Sequence, residues 1–155
     1  MIRVQETPFD PGEELAAICD GGTAIGGVCS FVGLVRDMPP GSLSAMTLEH
    51  YPGMTERMLA EIDRQAHDRW PLEASRVIHR YGRMEPGEAI VFVATASAHR
   101  QAAFESGQFL IDWLKTRAPF WKFEETADGG RWVDARTEDD DAAARWVRDR
   151  DQTIA

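Results

Sequence analysis

Of the 17 basic residues in this chain, fifteen are arginines and two are lysines, and the two lysines, Lys115 and Lys122, flank a single short segment. A lysine amine loses its proton readily when its surroundings lower its pKa, whereas an arginine guanidinium stays charged. Two amines in an arginine-rich chain are therefore candidate nucleophiles, general acids or general bases. The competing reading is two ordinary solvated lysines, and Lys115 in the last turn of a helix also suits the helix dipole. The segment between them is Thr116-Arg117-Ala118-Pro119-Phe120-Trp121. Pro119 must end the helix, so Lys122 falls on a following strand. A helix end, a rigid turn and a strand can converge both amines on one pocket.

Other basic residues stand nearby in sequence. From His99 to Lys122 the chain carries Arg100, Lys115, Arg117 and Lys122 against Glu105 and Asp112. On a chain of formal net charge -9, such a local cluster suggests a small anionic ligand and not a polyanion. His99 and Arg100 stand at the start of the same helix, where backbone amides attract anions and arginine is the usual fork for phosphate; capping is the alternative role for His99. Arg36 follows a strand end in Gly33-Leu34-Val35-Arg36-Asp37, and a solvated pair with Asp37 is its alternative. The aromatic run Phe120-Trp121-Phe123 reads as core or subunit interface.

The elements that must position these residues follow from periodicity and turn chemistry. Ile2 to Glu6 predicts a short strand. Asp10-Pro11-Gly12-Glu13 predicts a helix start, with Asp10 as cap and Pro11 at the first helical position, running to about Asp20. Thr23 to Val35 predicts a buried strand broken at Gly26-Gly27. Arg36 to Ser44, with Met38-Pro39-Pro40-Gly41, is expected to be a mobile loop. Ala45 to Tyr51 resumes as a strand. Met54, Met58, Ile62 and Ala66 recur at helical spacing to about Arg69. Ser75 to Tyr81 and Ala89 to Ala96 predict strands joined by Glu85-Pro86-Gly87-Glu88. His99 to Arg117 predicts the longest helix, with Ser97 as cap and Phe104, Gly107, Leu110, Ile111 and Leu114 as its apolar stripe. Phe120 to Glu124 and Arg131 to Ala135 predict strands around Asp128-Gly129-Gly130, and a last polar helix closes the chain. The order is that of one α+β domain over residues 1–155, rich in antiparallel pairing, with an acidic tail from about 147.

Bulk properties narrow the classes further. At 43% hydrophobic and 28% charged, the chain is unlike disordered sequences. No apolar run approaches the ~20 residues of a membrane span, and Met1-Ile2-Arg3-Val4-Gln5-Glu6 lacks the layout of a signal peptide, so a cytoplasmic location is expected. The acidic balance, with the run Glu138-Asp139-Asp140-Asp141, argues against nucleic-acid binding. Cys19 and Cys29 lack zinc-site spacing and are expected to be inert core-type residues; the four histidines also lack ligand spacing, so no metal and no cofactor is assigned. Gly21-Gly22 and Gly26-Gly27 are not a phosphate-binding loop, because no Lys-Ser/Thr follows.

Three segments carry a resemblance. Thr47-Leu48-Glu49-His50-Tyr51-Pro52-Gly53-Met54-Thr55, Ser97-Ala98-His99-Arg100 and Leu114-Lys115-Thr116-Arg117-Ala118-Pro119-Phe120-Trp121-Lys122 resemble the large, catalytic subunits of molybdopterin synthase, the MoaE family, with similarity from about Phe9 to about Trp146. The resemblance implies an α/β hammerhead-type fold, a homodimer, and a small ubiquitin-like partner subunit with a thiocarboxylated Gly-Gly C-terminus. It also implies transfer of two sulfurs to cyclic pyranopterin monophosphate, forming the dithiolene of molybdopterin. This chain ends Gln152-Thr153-Ile154-Ala155, which fits the acceptor role and not that of sulfur carrier.

Residue by residue, the resemblance puts the family's catalytic lysines on Lys115 and Lys122. It puts substrate contacts on Arg36, His99 and Arg100, sets Glu124 near the second lysine, and gives Arg136 a role across the dimer. Leu34 and Phe123 depart from the family, standing where basic residues are expected. Two readings compete with sulfur transfer: an adaptor that holds a ubiquitin-like partner without chemistry, and a Schiff-base enzyme using either lysine.

Overall fold

The computed structural model describes residues 1–133 and 144–147. The chain begins with β1 (Ile2–Gln5) and α1 (Pro11–Cys19). Asp10 caps α1 as its type predicts, accepting from the amides of Gly12 at 2.7 Å and Glu13 at 3.1 Å, two of the donors that a helix start leaves open. Then follow β2 (Gly27–Leu34), β3 (Ala45–His50), α2 (Met54–Arg69), β4 (Leu72–Arg80), β5 (Gly82–Met84), β6 (Ala89–Ser97), α3 (Arg100–Arg117), β7 (Phe120–Thr126) and β8 (Gly129–Val133). Residues 144–147 are helical. The α+β class holds. The strand β5 is not visible in the sequence, because three residues are too few to show a period and only its partner β3 defines it.

The strands form two four-stranded sheets, ordered β1-β4-β6-β2 and β5-β3-β7-β8. β1 pairs with β4 in parallel; the other pairings are antiparallel. Alternation along β4 and β6 sends successive side chains to opposite faces. Val77 and Val93 meet Leu59, Ile62, Phe109, Leu110 and Trp113 from α2 and α3. Ile78, Phe92, Ala94 and Ala96 meet Ile18 of α1. Each large side chain so buried contributes about 1.5–3 kcal/mol. The helix α3 approaches the first sheet closely at Gly107, where an added Cβ would lie 3.3 Å from both Cys29 Sγ and Thr95 Oγ1.

Several sequence expectations are corrected. The strand β2 is a sheet edge and not buried: Phe31 is 42% and Leu34 54% exposed. The buried face of α2 keeps Ile62 and Ala66 of the predicted stripe, but its first half is Thr55 and Leu59 in place of Met54 and Met58, with Met54 exposed. In α3, Phe104 is exposed and Phe109 and Trp113 are buried instead. Ser97 does not cap α3; the cap position is His99, and the Ser97 hydroxyl donates to the Pro71 carbonyl at 2.8 Å. Cys19 is exposed and Cys29 half-buried, so Cys19 is not a core residue. The loop after β2 is bound to itself: the Asp37 carboxylate accepts from the amides of Gly41, Ser42 and Leu43 and from the Ser42 hydroxyl. These bonds, led by those from Gly41 and Leu43, hold its pKa below the usual carboxylate value. The pairing of Asp37 with Arg36 is therefore replaced by a loop clasp.

Residues 144–147 close the helical layer. The Trp146 ring packs edge-on against Trp70 and Phe109, with centroids 5.7 and 5.5 Å away. Its indole N–H donates to Asp112 at 2.7 Å, Arg145 pairs with the same carboxylate, and Gln108 donates to the other oxygen at 2.8 Å. A buried carboxylate on α3 is thus fully answered, which burial requires. Trp146→Ala removes both the ring and a donor to Asp112; the expected loss of stability is about 3 kcal/mol, read as a lower urea midpoint with an unchanged slope.

Candidate active site

The helix α3 stops where Pro119 denies it a further amide. Ala118 is already extended, at φ -73° and ψ 126°, and the Phe120 amide donates to the Ala118 carbonyl at 2.9 Å. The chain enters β7 paired with β3, with Phe120 opposite His50 and Lys122 opposite Leu48. Strand alternation then turns Phe120, Lys122 and Glu124 to one face. That face borders a cleft of about 680 Å³ whose wall also includes Leu114, Lys115 and Ala118 from around the end of α3, Leu34 at the end of β2 and Arg36 in the loop that follows it. On the opposite face Phe123 packs edge-to-face on Trp132, centroids 5.2 Å apart, and Trp121 is half exposed. Phe123 therefore stands outside the cleft, whereas Leu34 lines it.

The structure thus brings Lys115, Lys122, Arg36 and Glu124 together. It does not bring His99 and Arg100 to them. Those residues stand at the opposite end of an 18-residue helix, about 24 Å from Lys115 at 1.5 Å per residue. Arg136 and the acidic run 138–141 lie outside the described residues.

One cleft residue escaped the sequence reading although a signal was present. The β7–β8 hairpin turns at Ala127-Asp128, with Gly129 at φ +118° taking the backbone conformation that favours glycine. Its register sets Arg131 directly across from Glu124. Counting back from a two-residue turn finds that pair. Glu124 Oε1 lies 3.0 Å from Lys122 Nζ and Oε2 lies 3.2 Å from Arg131 Nη2. Burial pushes the Glu124 carboxyl up, but the hydrogen bonds and charges of Lys122 and Arg131 outweigh it, leaving the group below the usual value. It is an ionised carboxylate held between two cations, and it orients the Lys122 amine.

His79 on β4 also lines the cleft. Its ring stacks on Phe120 with centroids 3.8 Å apart and planes 16° from parallel. Nδ1 lies 2.9 Å from the Arg80 carbonyl; since a carbonyl only accepts, Nδ1 donates. His50 approaches the same phenyl ring at 6.1 Å, so two imidazoles flank the residue that follows Pro119. Burial, assisted by the charge of His50, pushes the pKa of His79 down to about 4. Arg36, Lys115, Lys122 and Arg131 make the cleft cationic around this neutral ring, a setting that attracts an anion and stabilises negative charge developing on it.

A model of the MoaE protein family matches residues 4–117. The molybdopterin synthase catalytic subunit of Pseudomonas aeruginosa is 57% identical over 146 residues, which are 94% of this chain and 97% of that protein. Among solved structures, the molybdopterin biosynthesis MoaE protein from Burkholderia ambifaria is similar with a TM-score of 0.81 and 50% identity, covering 94% of this chain and 97% of the other. Molybdopterin synthase from Staphylococcus aureus is similar with a TM-score of 0.77 and 27% identity, covering 84% of this chain and 95% of that one.

The His79 pKa makes a prediction about stability. The unfolded chain takes up this proton near pH 6.5 and the folded chain only near pH 4, so protonation favours unfolding. The stabilisation is complete above about pH 6.5 and is lost as the pH falls towards 4, by up to about 3 kcal/mol. Urea midpoints measured between pH 7 and 4.5 should fall in the wild type, and the fall should be smaller in His79→Phe.

Proposed function

The chain belongs to the MoaE family, and from that premise we propose how it works as the catalytic subunit of a molybdopterin synthase. The reaction is sulfur transfer from the thiocarboxylated C-terminus of a small ubiquitin-like subunit to cyclic pyranopterin monophosphate, a step of molybdenum cofactor biosynthesis. Each transfer exchanges an oxygen function on the pterin side chain for sulfur and returns the donor's terminus to a carboxylate. No helix of the described residues is long and apolar enough to cross a membrane, and the reading places the chain in the cytoplasm, acting as one domain.

The observation that carries the assignment of residues is the shared cleft of Lys115, Lys122, Arg36 and Glu124 at the α3–β7 corner. Both reactants are anionic, one a cyclic phosphate and the other a thiocarboxylate. Arg36 holds the phosphate, since its planar fork matches the oxygens. Lys115 meets the incoming thiocarboxylate and stabilises the charge that develops on its carbonyl. Lys122, oriented by Glu124, binds the substrate and moves protons as sulfur displaces oxygen. His99 and Arg100 are too far from the lysines to act in the same cleft of one chain. Their part in the reaction comes from a second copy in the homodimer that the resemblance implies, and Arg136 is assigned to the same cross-dimer role.

Lys115→Ala tests this division of labour. With thiocarboxylated small subunit and pyranopterin substrate, dithiolene formation should fall by at least about a hundredfold, while small-subunit affinity stays near that of the wild type. Normal turnover in the variant refutes the role of Lys115. A wild-type complex that forms without product favours the adaptor reading, and borohydride trapping of a carbonyl substrate on either lysine favours Schiff-base chemistry.

A further inference from the structure

The cleft is suited to one half of its substrate more obviously than the other. Arg36, Lys115, Lys122 and Arg131 carry only hydrogen-bond donors, which serve a phosphate or a thiocarboxylate. A pterin ring presents donors of its own, ring N–H groups and an exocyclic amine, and burying a donor without an acceptor is costly. Among the described side chains of the wall, two offer strong acceptors. One is Glu124, whose two oxygens are engaged by Lys122 and Arg131. The other is His79.

We propose that His79 is a further substrate-contacting residue, whose Nε2 accepts a hydrogen bond from an N–H donor of the pterin. The inference rests on the molybdopterin synthase reading and deepens it. With Nδ1 donating to the Arg80 carbonyl, the neutral ring keeps its lone pair on Nε2. No described group hydrogen-bonds to Nε2, and the atom is not among the buried polar atoms sealed without a partner. Stacking on Phe120 fixes the plane of the ring, so the lone pair has a set direction relative to the lysine-bearing corner. Burial keeps the imidazole uncharged at neutral pH, so Nε2 remains an acceptor in the midst of four cations.

The test uses the complex with thiocarboxylated small subunit and compares His79→Phe with His79→Gln. Phenylalanine keeps a ring against Phe120 and removes the acceptor; glutamine returns an amide oxygen near the position of Nε2. The KM for pyranopterin should rise about tenfold in His79→Phe and stay within about threefold of wild type in His79→Gln. Equal KM values for the two variants, or a loss confined to kcat or to small-subunit affinity, overturns the proposal. If His79→Phe does not fold, His79→Asn replaces it, since its shorter amide reaches only the Nδ1 position, and the same gap from His79→Gln is expected. An inactive wild-type complex refutes the functional reading itself, a result distinct from an active wild type whose variants behave alike.

Discussion

Pro119 is the constraint on which the rest of the site depends. Had α3 continued, Lys115 and Lys122 would lie two helical turns apart on one rod, with no sheet beside the second amine. The proline stops the helix at Arg117, and the extended Ala118 sends the chain into β7. Pairing with β3 on one side and β8 on the other then fixes which face each β7 residue shows. The His79–Phe120 stack closes the inside of the corner, so the direction of Lys122 is set by backbone pairing and aromatic contact before any ligand arrives.

The electrostatics of the site stand against those of the whole chain. A protein of net charge -9 repels anionic substrates at long range, so attraction must be local. Salt screens exposed charges beyond about 8–10 Å, and within that distance the cleft presents four cations and one carboxylate. Glu124 offsets part of this charge and holds Lys122 by an ion pair. The Asp37 clasp acts similarly on the neighbouring loop: by using its carboxylate on backbone amides, it leaves the Arg36 side chain to the cleft.

Much of the secondary structure was legible because its causes are local. The Asp10 cap, the Pro119 stop and the last hairpin turn, expected at Asp128-Gly129-Gly130 and found one residue earlier at Ala127-Asp128, each depend on residues a few positions apart. Burial was read less well. The strand β2 has the composition of a buried strand, but it is the edge of its sheet, and strand order is invisible in a single segment. Leu110 and Leu114 of α3 and Ile62 and Ala66 of α2 are covered as their period predicts, whereas Phe104 and Met54 fit the same period and stay exposed, because Phe109, Trp113 and Leu59 fill the core instead. Ser97 looked like a cap because serine is a common one, but its hydroxyl was claimed by the distant Pro71 carbonyl.

The sequence by itself determined that two tunable amines stand at either side of a helix-ending proline among arginines, and the resemblance supplied a reaction for them. The resemblance also named Arg36 and Glu124, but tertiary structure alone decided that His79 and Arg131 join them and that His99 and Arg100 do not. Arg36 reaches the cleft from the loop after β2, His79 from β4 and Arg131 from β8, whereas His99 and Arg100, at the far end of the helix that carries Lys115, are held away by the length of that helix. The reason is physical: helix ends and turns are set by neighbours in the chain, but sharing a pocket is set by strand register and sheet order, which depend on contacts between residues far apart in sequence.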